Sequence, residues 1–271
     1  MPVTTADLFS IETVNSLVVE PTWAQSVALS SGLKRLSTTA TTVNIPAVGG
    51  GSAGWFAELA PISDAGISAM EMPVTPRRVA ATQVVSNESA TDASAAQLVG
   101  SALTNALSQT VDEAFFTGAG PVGPGGLPAL AAMSTVAGDA DSSLDLYVDA
   151  IAKVEAAGGR AGAIYVSPET WALLSKIKSG TGSAQPVLSP QGNLSAATSR
   201  SLFGVPVYTS RFVQASTAWV LDPSRVIVVE RTPASVAVDT SVKFFEDATV
   251  LRATMRLEFA APIESIVCKI A

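Results

Sequence analysis

The sequence predicts an α+β fold, in which a long helix and an α/β segment are followed by long paired strands. Three patterns in the 271 residues support this prediction. Apolar residues recur every fourth position over residues 92–117, which is typical of an amphipathic helix. Helical patterns then alternate with short apolar runs up to residue 232. From residue 234 onward apolar and polar residues alternate, which indicates half-exposed strands.

The first 88 residues predict two extended segments. Residues 1–50 indicate an N-terminal arm, because a short amphipathic piece and the run TTATTVNIP could not bury a core of their own. Residues 51–88 predict a long two-stranded loop with a turn near residues 63–66. Since so long a loop is uncommon inside a compact monomer, we expect both segments to lie on neighbouring subunits.

The long helix is predicted over residues 92–117. Asp92 or Ser94 can cap its start, and Gly118 can supply the left-handed residue that ends it. The apolar stripe of this helix consists of Val99, Leu103, Leu107, Val111 and Phe115.

Gly118, Gly120 and Gly123 have the G-x-G-x-x-G spacing of dinucleotide-binding loops. Such a loop follows a strand and opens a helix, whose N-terminal amides bind the pyrophosphate. Here the glycines follow a helix instead, so they meet the negative end of its dipole, and prolines come after them. The sequence therefore predicts an irregular connector and no nucleotide site.

The α/β segment contains two capped helices. The first, DSSLDLYVDAIAKVEAAGG, can be capped by Ser142 or Ser143 and is closed by glycines, and the second begins with Ser167 as cap and Pro168 in the first turn. The runs AIYVS, VPVYTS, AWVLD and RVIVVER predict short strands, ASVAVDTS and VLRATMRLEFA predict long ones, and residues 180–200 have the most loop-like composition.

Composition excludes several function classes. Only 14% of residues are charged, and so little charge favours surfaces hidden against other copies. The net charge is −7 and the adjacent basic pairs are Lys34-Arg35 and Arg77-Arg78 alone, which argues against a nucleic-acid reader. The absence of histidine excludes histidine-based catalysis and the usual zinc sites. Cys268, the single cysteine, lies in an apolar run and is expected to be a buried hydrophobe. No apolar run is long enough to cross a membrane.

The remaining candidate residues are carboxylates and tryptophans. Asp239, Glu246, Asp247 and Glu258 could form an acid–base pair or a cation site, but no motif orders them, so strand-surface charges are favoured. Among the tryptophans, Trp171 and Trp219 are expected in the core of the α/β segment. We predict no catalytic residue, no metal ligand and no cofactor, and hence no enzyme.

Six segments, taken in order, resemble the major capsid proteins of tailed bacteriophages, the shell proteins of the Hong-Kong-ninety-seven type. They are WFAEL, VVSNESATDAS, FFTGAGPVGPGGL, SPETWALLSKIKSGTGSAQPVL, LFGVPVYTSRF and EDATVLRATMRLEFAAPIESIV. The resemblance implies a structural protein that assembles into hexamers and pentamers of an icosahedral head around double-stranded DNA.

The resemblance also implies a division of the chain into named parts. Residues 1–50 would form the N-terminal arm and residues 51–88 the extended β-hairpin loop. The peripheral domain would combine residues 89–122, with the long spine helix, and the closing strands of residues 233–258. The α/β axial domain would combine residues 123–232 with a returning C-terminal strand, residues 259–271.

For contacts between subunits we expect Trp55, Glu58, Arg77 and Arg78, which lie on or flank the extended loop. The resemblance implies as partners other copies of the chain, a portal protein and possible decoration by a further protein. The family's larger members carry an N-terminal scaffolding segment, and because Met1 stands directly before the arm we expect a separate scaffolding protein or none. The first twenty residues lack a secretory signal, so we expect assembly in the host bacterial cytoplasm and a final place in the virion.

Some capsid proteins of this type join their subunits by an isopeptide bond between a loop lysine and an asparagine, with a glutamate accepting the proton. This chain has no lysine between Lys34 and Lys153 and no asparagine beyond Asn193, and Asp247 and Thr254 stand near the matching positions. We therefore predict a shell without covalent links. An encapsulin-type bacterial compartment shares the fold and is the alternative function, although the arm lacks the helical N-terminus expected of encapsulins.

Overall fold

The computed structural model describes residues 22–49, 51, 53–59, 64, 66–87, 93–178, 188 and 200–271. The helices used below are α1 Val27–Ser30, α2 Ala93–Thr117, α3 Asp145–Ala156 and α4 Pro168–Leu174. Residues 22–25 are helical as well, and short 3-10 helices lie at Leu127–Ala129, Phe244–Glu246 and Glu264–Ile266. The strands are β1 Lys34–Ser37, β2 Val43–Gly49, β3 Ser68–Val74, β4 Arg77–Ser86, β5 Ser134–Val136, β6 Ala163–Val166, β7 Ser201–Leu202, β8 Val205–Thr209, β9 Ala218–Leu221, β10 Ile227–Lys243, β11 Ala248–Ala260 and β12 Val267–Ile270. The chain is thus a mixed α and β protein with three sheets and few helices, and the predicted loop-like stretch at 180–200 lies largely outside the described residues.

The long helix α2 confirms the predicted amphipathic segment. It has 25 residues and is therefore roughly 38 Å long at about 1.5 Å per residue. Gly118 follows with φ 75°, as predicted for the residue that ends it. Asp92 and the side chain of Ser94, the predicted caps, lie outside the described residues. Four stripe residues are buried: Leu103, Leu107, Val111 and Phe115.

A four-stranded sheet in the order β1-β10-β11-β4 packs against α2. β10 and β11 form a long antiparallel hairpin, and burial along β11 alternates with period two, which confirms the predicted half-exposed strand. The runs RVIVVER and ASVAVDTS were expected to be separate strands but belong to the single 17-residue β10. The register of the β10–β11 pairing shifts between Glu230 and Ser235, as it does at a β-bulge. β10 therefore continues as one strand through this region.

The two strands that follow residue 60 pair with different partners. β3 pairs antiparallel with β2, from the run assigned to the arm, whereas β4 pairs antiparallel with β11. The physical reason is burial, because Ile45 and Val74 pack with Val229 of the four-stranded sheet. At the far end, Gly66 has φ 64° and its amide donates to Asp64 Oδ1 at 3.3 Å, which agrees with the predicted turn. Residues 60–63 and 65 lie outside the described residues.

The predicted α/β segment forms a six-stranded sheet in the order β5-β12-β9-β6-β8-β7. Strands β6 and β9 are buried throughout, as strands covered on both faces must be. Ser167 caps α4, as predicted, by accepting the Thr170 amide at 3.0 Å. For α3 the predicted cap is wrong. The helix begins at Asp145, so Leu144 occupies the capping position, and Ser143 Oγ accepts the Asp145 amide at 3.1 Å from one residue earlier.

An aromatic cluster joins the two larger sheets to α2. The ring of Phe115 lies 4.8 Å from that of Phe259 on β11 and 6.0 Å from that of Tyr165 on β6. Trp219 and Cys268 are buried, as predicted, and burial raises the pKa of the Cys268 thiol to about 11. Among the helices of the described chain, none combines the length and apolar character needed to cross a membrane.

Candidate inter-subunit surface

Residues 53–59 expose a run of apolar side chains. Trp55 and Leu59 are fully exposed and Phe56 is exposed as well. Leu59 adopts a left-handed backbone with φ 66°, which is uncommon for a residue other than glycine. Glu58, beside it, is exposed too. Because large apolar groups seldom cluster on a free surface, the segment is a candidate contact site.

Arg77 and Arg78 begin β4 at the rim of a small cavity between β4 and α2. The volume is about 90 Å³, roughly the space of three water molecules. Both side chains are exposed, and no ion pair holds either of them within the part of the chain that the structure describes. The apolar lining consists of Val79, Val111, Ala114, Ala119, Pro124 and Leu257. The rim is therefore basic and the interior apolar.

The four predicted contact residues form two separate groups. Over the described ranges, no hydrogen bond, ion pair or ring contact joins Trp55 or Glu58 to Arg77 or Arg78 of the same chain. One group offers a carboxylate among apolar side chains, and the other offers two guanidinium groups over an apolar cavity. The groups are complementary in charge and in polarity.

The tip of the β10–β11 hairpin carries a second exposed apolar group, which was not predicted from the sequence. Phe245 is fully exposed and its ring packs edge-on against that of Phe244, with centroids 5.9 Å apart. Lys243 and Glu246 form an ion pair at 2.6 Å across the same turn. The sequence does contain a signal for this group, because two adjacent phenylalanines stand between two alternating strands, where a turn is usually polar.

Glu258 connects the glycine-rich segment to β11. Its Oε1 accepts the amides of Gly125 and Phe259, both at 3.3 Å. Burial raises the pKa of this carboxyl, against the opposing effects of the two hydrogen bonds and of Arg77. A Cβ at Gly126 would lie 2.1 Å from the Ala114 carbonyl oxygen, so the connector packs directly on the end of α2. The segment is the irregular connector that the sequence predicts.

The other candidate carboxylates each have a local partner. Asp239 accepts the Ser241 hydroxyl at 2.7 Å, and this hydrogen bond lowers the pKa of Asp239. Asp247 accepts the side-chain amide of Asn87 at 2.7 Å. Across the described ranges, no three acidic, cysteine or histidine side chains gather into a group that could hold a metal ion. The prediction of strand-surface charges is therefore right for Asp239 on β10, whereas Glu246 and Asp247 lie in the turn between β10 and β11 and Glu258 is partly buried.

Solved structures with a similar fold come from capsids and particles. The chain is similar to the capsid of a native GTA particle, with TM-score 0.70, 18% identity, and 91% of this chain and 90% of that chain covered. A chain of Mycobacterium phage Bobi matches with TM-score 0.68, 20% identity, and 91% and 90% covered. A virus-like particle from Pyrococcus furiosus matches with TM-score 0.67, 8% identity, and 97% and 100% covered. At these identities the likeness establishes the fold.

The sequence itself supplies the family. None of the curated proteins matches the chain. The model of the phage capsid family, in contrast, matches residues 12–268, which is nearly the whole sequence. Together with the capsid fold, this match confirms the resemblance seen in the six segments: the chain belongs to the phage capsid family, whose members are structural shell proteins of the virion.

Proposed function

We propose that this chain is the major capsid protein of a tailed bacteriophage, which assembles into hexamers and pentamers of an icosahedral head enclosing double-stranded DNA. The observation that carries the proposal is the exposed apolar segment 53–59 in a member of the capsid family. A monomer would leave Trp55 and Leu59 in water, whereas neighbouring copies would bury them. The low charge of the chain supports extensive contact between copies.

The domain division is the one that the family resemblance implies. We assign α2 as the spine helix of a peripheral domain formed by residues 89–122 and 233–258. We assign the six-stranded sheet to an axial domain formed by residues 123–232 and 259–271. The arm, residues 1–50, and the extended loop, residues 51–88, complete the subunit. Support comes from β12, which returns to the six-stranded sheet after β11 has left the other one.

In the assembled shell, the loop of one copy contacts the start of β4 on the next. Glu58 pairs there with Arg78 and Arg77, and Leu59 enters the cavity of about 90 Å³ below them. Trp55 covers the contact as its aromatic anchor. The complementary charges and the size of the cavity support this arrangement.

Sedimentation velocity and negative-stain electron microscopy test the assembly. We expect rings or closed shells from the purified chain, and a monomer under every assembly condition would contradict the proposal. The double variant Trp55→Ser and Leu59→Ser should reduce particle yield with the monomer's melting temperature unchanged. Val148→Ser removes an exposed apolar side chain on α3 and is the matched control.

A charge swap tests the pairing itself. Glu58→Arg alone and Arg78→Glu alone should each reduce assembly, because each places like charges together. The two substitutions in one chain should restore part of the yield, since the attraction is then reversed in direction. If the double variant shows no recovery of particle yield, the Glu58–Arg78 contact is excluded, but the proposal that the chain assembles into a shell still stands.

Further partners follow from the family resemblance. We propose a portal protein at one vertex, a separate scaffolding protein, and a decoration protein on the outer surface, with assembly in the host bacterial cytoplasm. Co-purification of particles from infected cells, followed by mass spectrometry of their components, tests each of these partners.

An encapsulin-type compartment is the second candidate. The chain is similar to a virus-like particle from Pyrococcus furiosus over 97% of its length, and this similarity supports the alternative function. Nuclease treatment of native particles separates the two functions. Protected double-stranded DNA supports the phage head, and protected cargo protein without DNA supports the compartment.

A further inference from the structure

We propose that the edge of β1 facing away from β10, which no strand of the described chain covers, is a second docking site that takes an extended, acid-bearing segment of a second copy as an additional strand. The site lies at the edge of the four-stranded sheet opposite β4 and is thus separate from Arg77 and Arg78. It rests on the proposed self-assembly and specifies a further contact within it.

β1 has backbone donors that the described sheet does not use. The amides of Lys34 and Thr38 donate to carbonyl oxygens of Val226 and Glu230, at 3.0 and 2.9 Å. Alternate residues of a strand direct their amides to the same side, so those of Arg35 and Ser37 point away from β10. Within the described ranges no other strand pairs with this edge. An incoming strand can accept both hydrogen bonds.

Two clefts lie at the two ends of β1 and can receive side chains from the ends of an added strand. One, of about 610 Å³, lies beside Ser37 and is bounded by Arg35, Thr38 and Arg231. The other, of about 210 Å³, lies beside Lys34 and contains Arg225. The bulges in β10 after Glu230 lie at the first cleft. A bare edge on a flat sheet would not offer such spaces.

The charge along this edge is basic in a chain whose net charge is −7. Arg35 is paired with Glu230, and Arg225 lies 3.7 Å from Asp222. Lys34 and Arg231 have no ion pair in the described part of the chain. Two cations therefore remain to attract carboxylates, and a second copy, with its net charge of −7, can supply them.

Arg35 is held in place before any partner arrives. Glu230 is only 1% exposed, and its Oε2 accepts Arg35 Nε at 2.6 Å. The guanidinium also lies 4.5 Å from the centroid of the Trp23 ring. Since the arginine remains half exposed, it presents a positioned donor group to the first cleft, and little side-chain entropy is lost on binding.

The competing explanation is protection. Short, charged edge strands discourage pairing, and a purely protective β1 would stay unpaired in the shell. Amide hydrogen exchange, compared between assembled particles and dissociated subunits, distinguishes the two. We expect exchange at Arg35 and Ser37 to slow by about tenfold or more on assembly, as for amides that become hydrogen-bonded. Lys34 and Thr38, bonded in both states, are the internal reference.

Particles in which Arg35 and Ser37 exchange freely would overturn this proposal and leave the shell function intact. If no particles form, both proposals fail.

Variants of the edge residues add a second measurement. Ser37→Pro removes an outward amide without removing a bond to β10, and Arg231→Glu reverses one unpaired charge. Both should reduce particle yield at an unchanged monomer melting temperature. Arg211→Glu, on an exposed arginine outside the edge, should assemble normally. Normal assembly of both edge variants would also overturn the proposal.

Discussion

The Ser26 hydroxyl donates a 2.6 Å hydrogen bond to Oδ1 of Asp112, which joins the start of α1 to the C-terminal part of α2. The same carboxylate accepts the amides of Val27 and Ala28, each at 3.0 Å. The first amides of a helix have no partner within it, and here a residue of another helix supplies the acceptor. Burial raises the pKa of Asp112, and these three hydrogen bonds oppose that shift.

Asp112→Ala should therefore destabilise the subunit. Two amides and one hydroxyl would lose their acceptor in a buried place, at a cost of about 1–3 kcal/mol in the free energy of unfolding. Urea denaturation of dissociated subunits measures this change. Glu113→Ala, at the adjacent exposed position of α2, should shift the midpoint little. Equal midpoints for the two variants would contradict the capping role.

Glu258 should make stability depend on pH. Because burial raises its pKa in the folded state above the ordinary value of 4.5, the folded protein binds this proton more readily than the unfolded chain. The free energy of unfolding of the wild type, minus that of Glu258→Gln, should rise as the pH falls from neutrality to about 4.5. A difference that is constant or declines over this range would refute the prediction.

Periodicity along the chain was enough to predict α2, the alternating β11 and the buried strands β6 and β9, because each buries one stripe or both faces. The pairing of β2 with β3 was not predictable, because the contact of Ile45 with Val229 joins residues far apart in sequence. The capping by Asp112 was equally hidden. Trp55 and Glu58 could be proposed as contact residues from the sequence, but only the structure shows that their side chains are exposed.

The phenylalanine pair at the hairpin tip should contribute to assembly. Phe245→Ser removes a fully exposed ring, so it should leave the monomer's melting temperature unchanged while it reduces particle yield. Phe203→Ser, at another exposed phenylalanine between β7 and β8, serves as the comparison. Sedimentation velocity gives the yields, and wild-type yield for Phe245→Ser would exclude the tip as a contact.

The shell should be free of covalent links. The loop offers Arg77 and Arg78 in place of lysine, and a guanidinium stays protonated and cannot act as the nucleophile. Mature particles boiled in detergent should run as one band near 27.6 kDa. A ladder of multimers that resists reductant would show that another pair of residues reacts.

Isolated subunits should bind DNA weakly. Of the four cations on and beside β1, Arg35 and Arg225 are paired with Glu230 and Asp222. We expect duplex DNA to bind with a Kd weaker than about 1 μM at physiological salt. Fluorescence anisotropy with a labelled duplex measures this Kd, and tighter, salt-sensitive binding would contradict the prediction.

The position of β12 has a consequence during translation. This strand follows every other strand along the described chain, yet it lies inside the six-stranded sheet, between β5 and β9. Until residues 267–270 have left the ribosome, β5 has no neighbour in that sheet and β9 keeps one edge unpaired. The six-stranded sheet is therefore incomplete until β12 has paired, so we expect subunits to assemble only after this strand is in place.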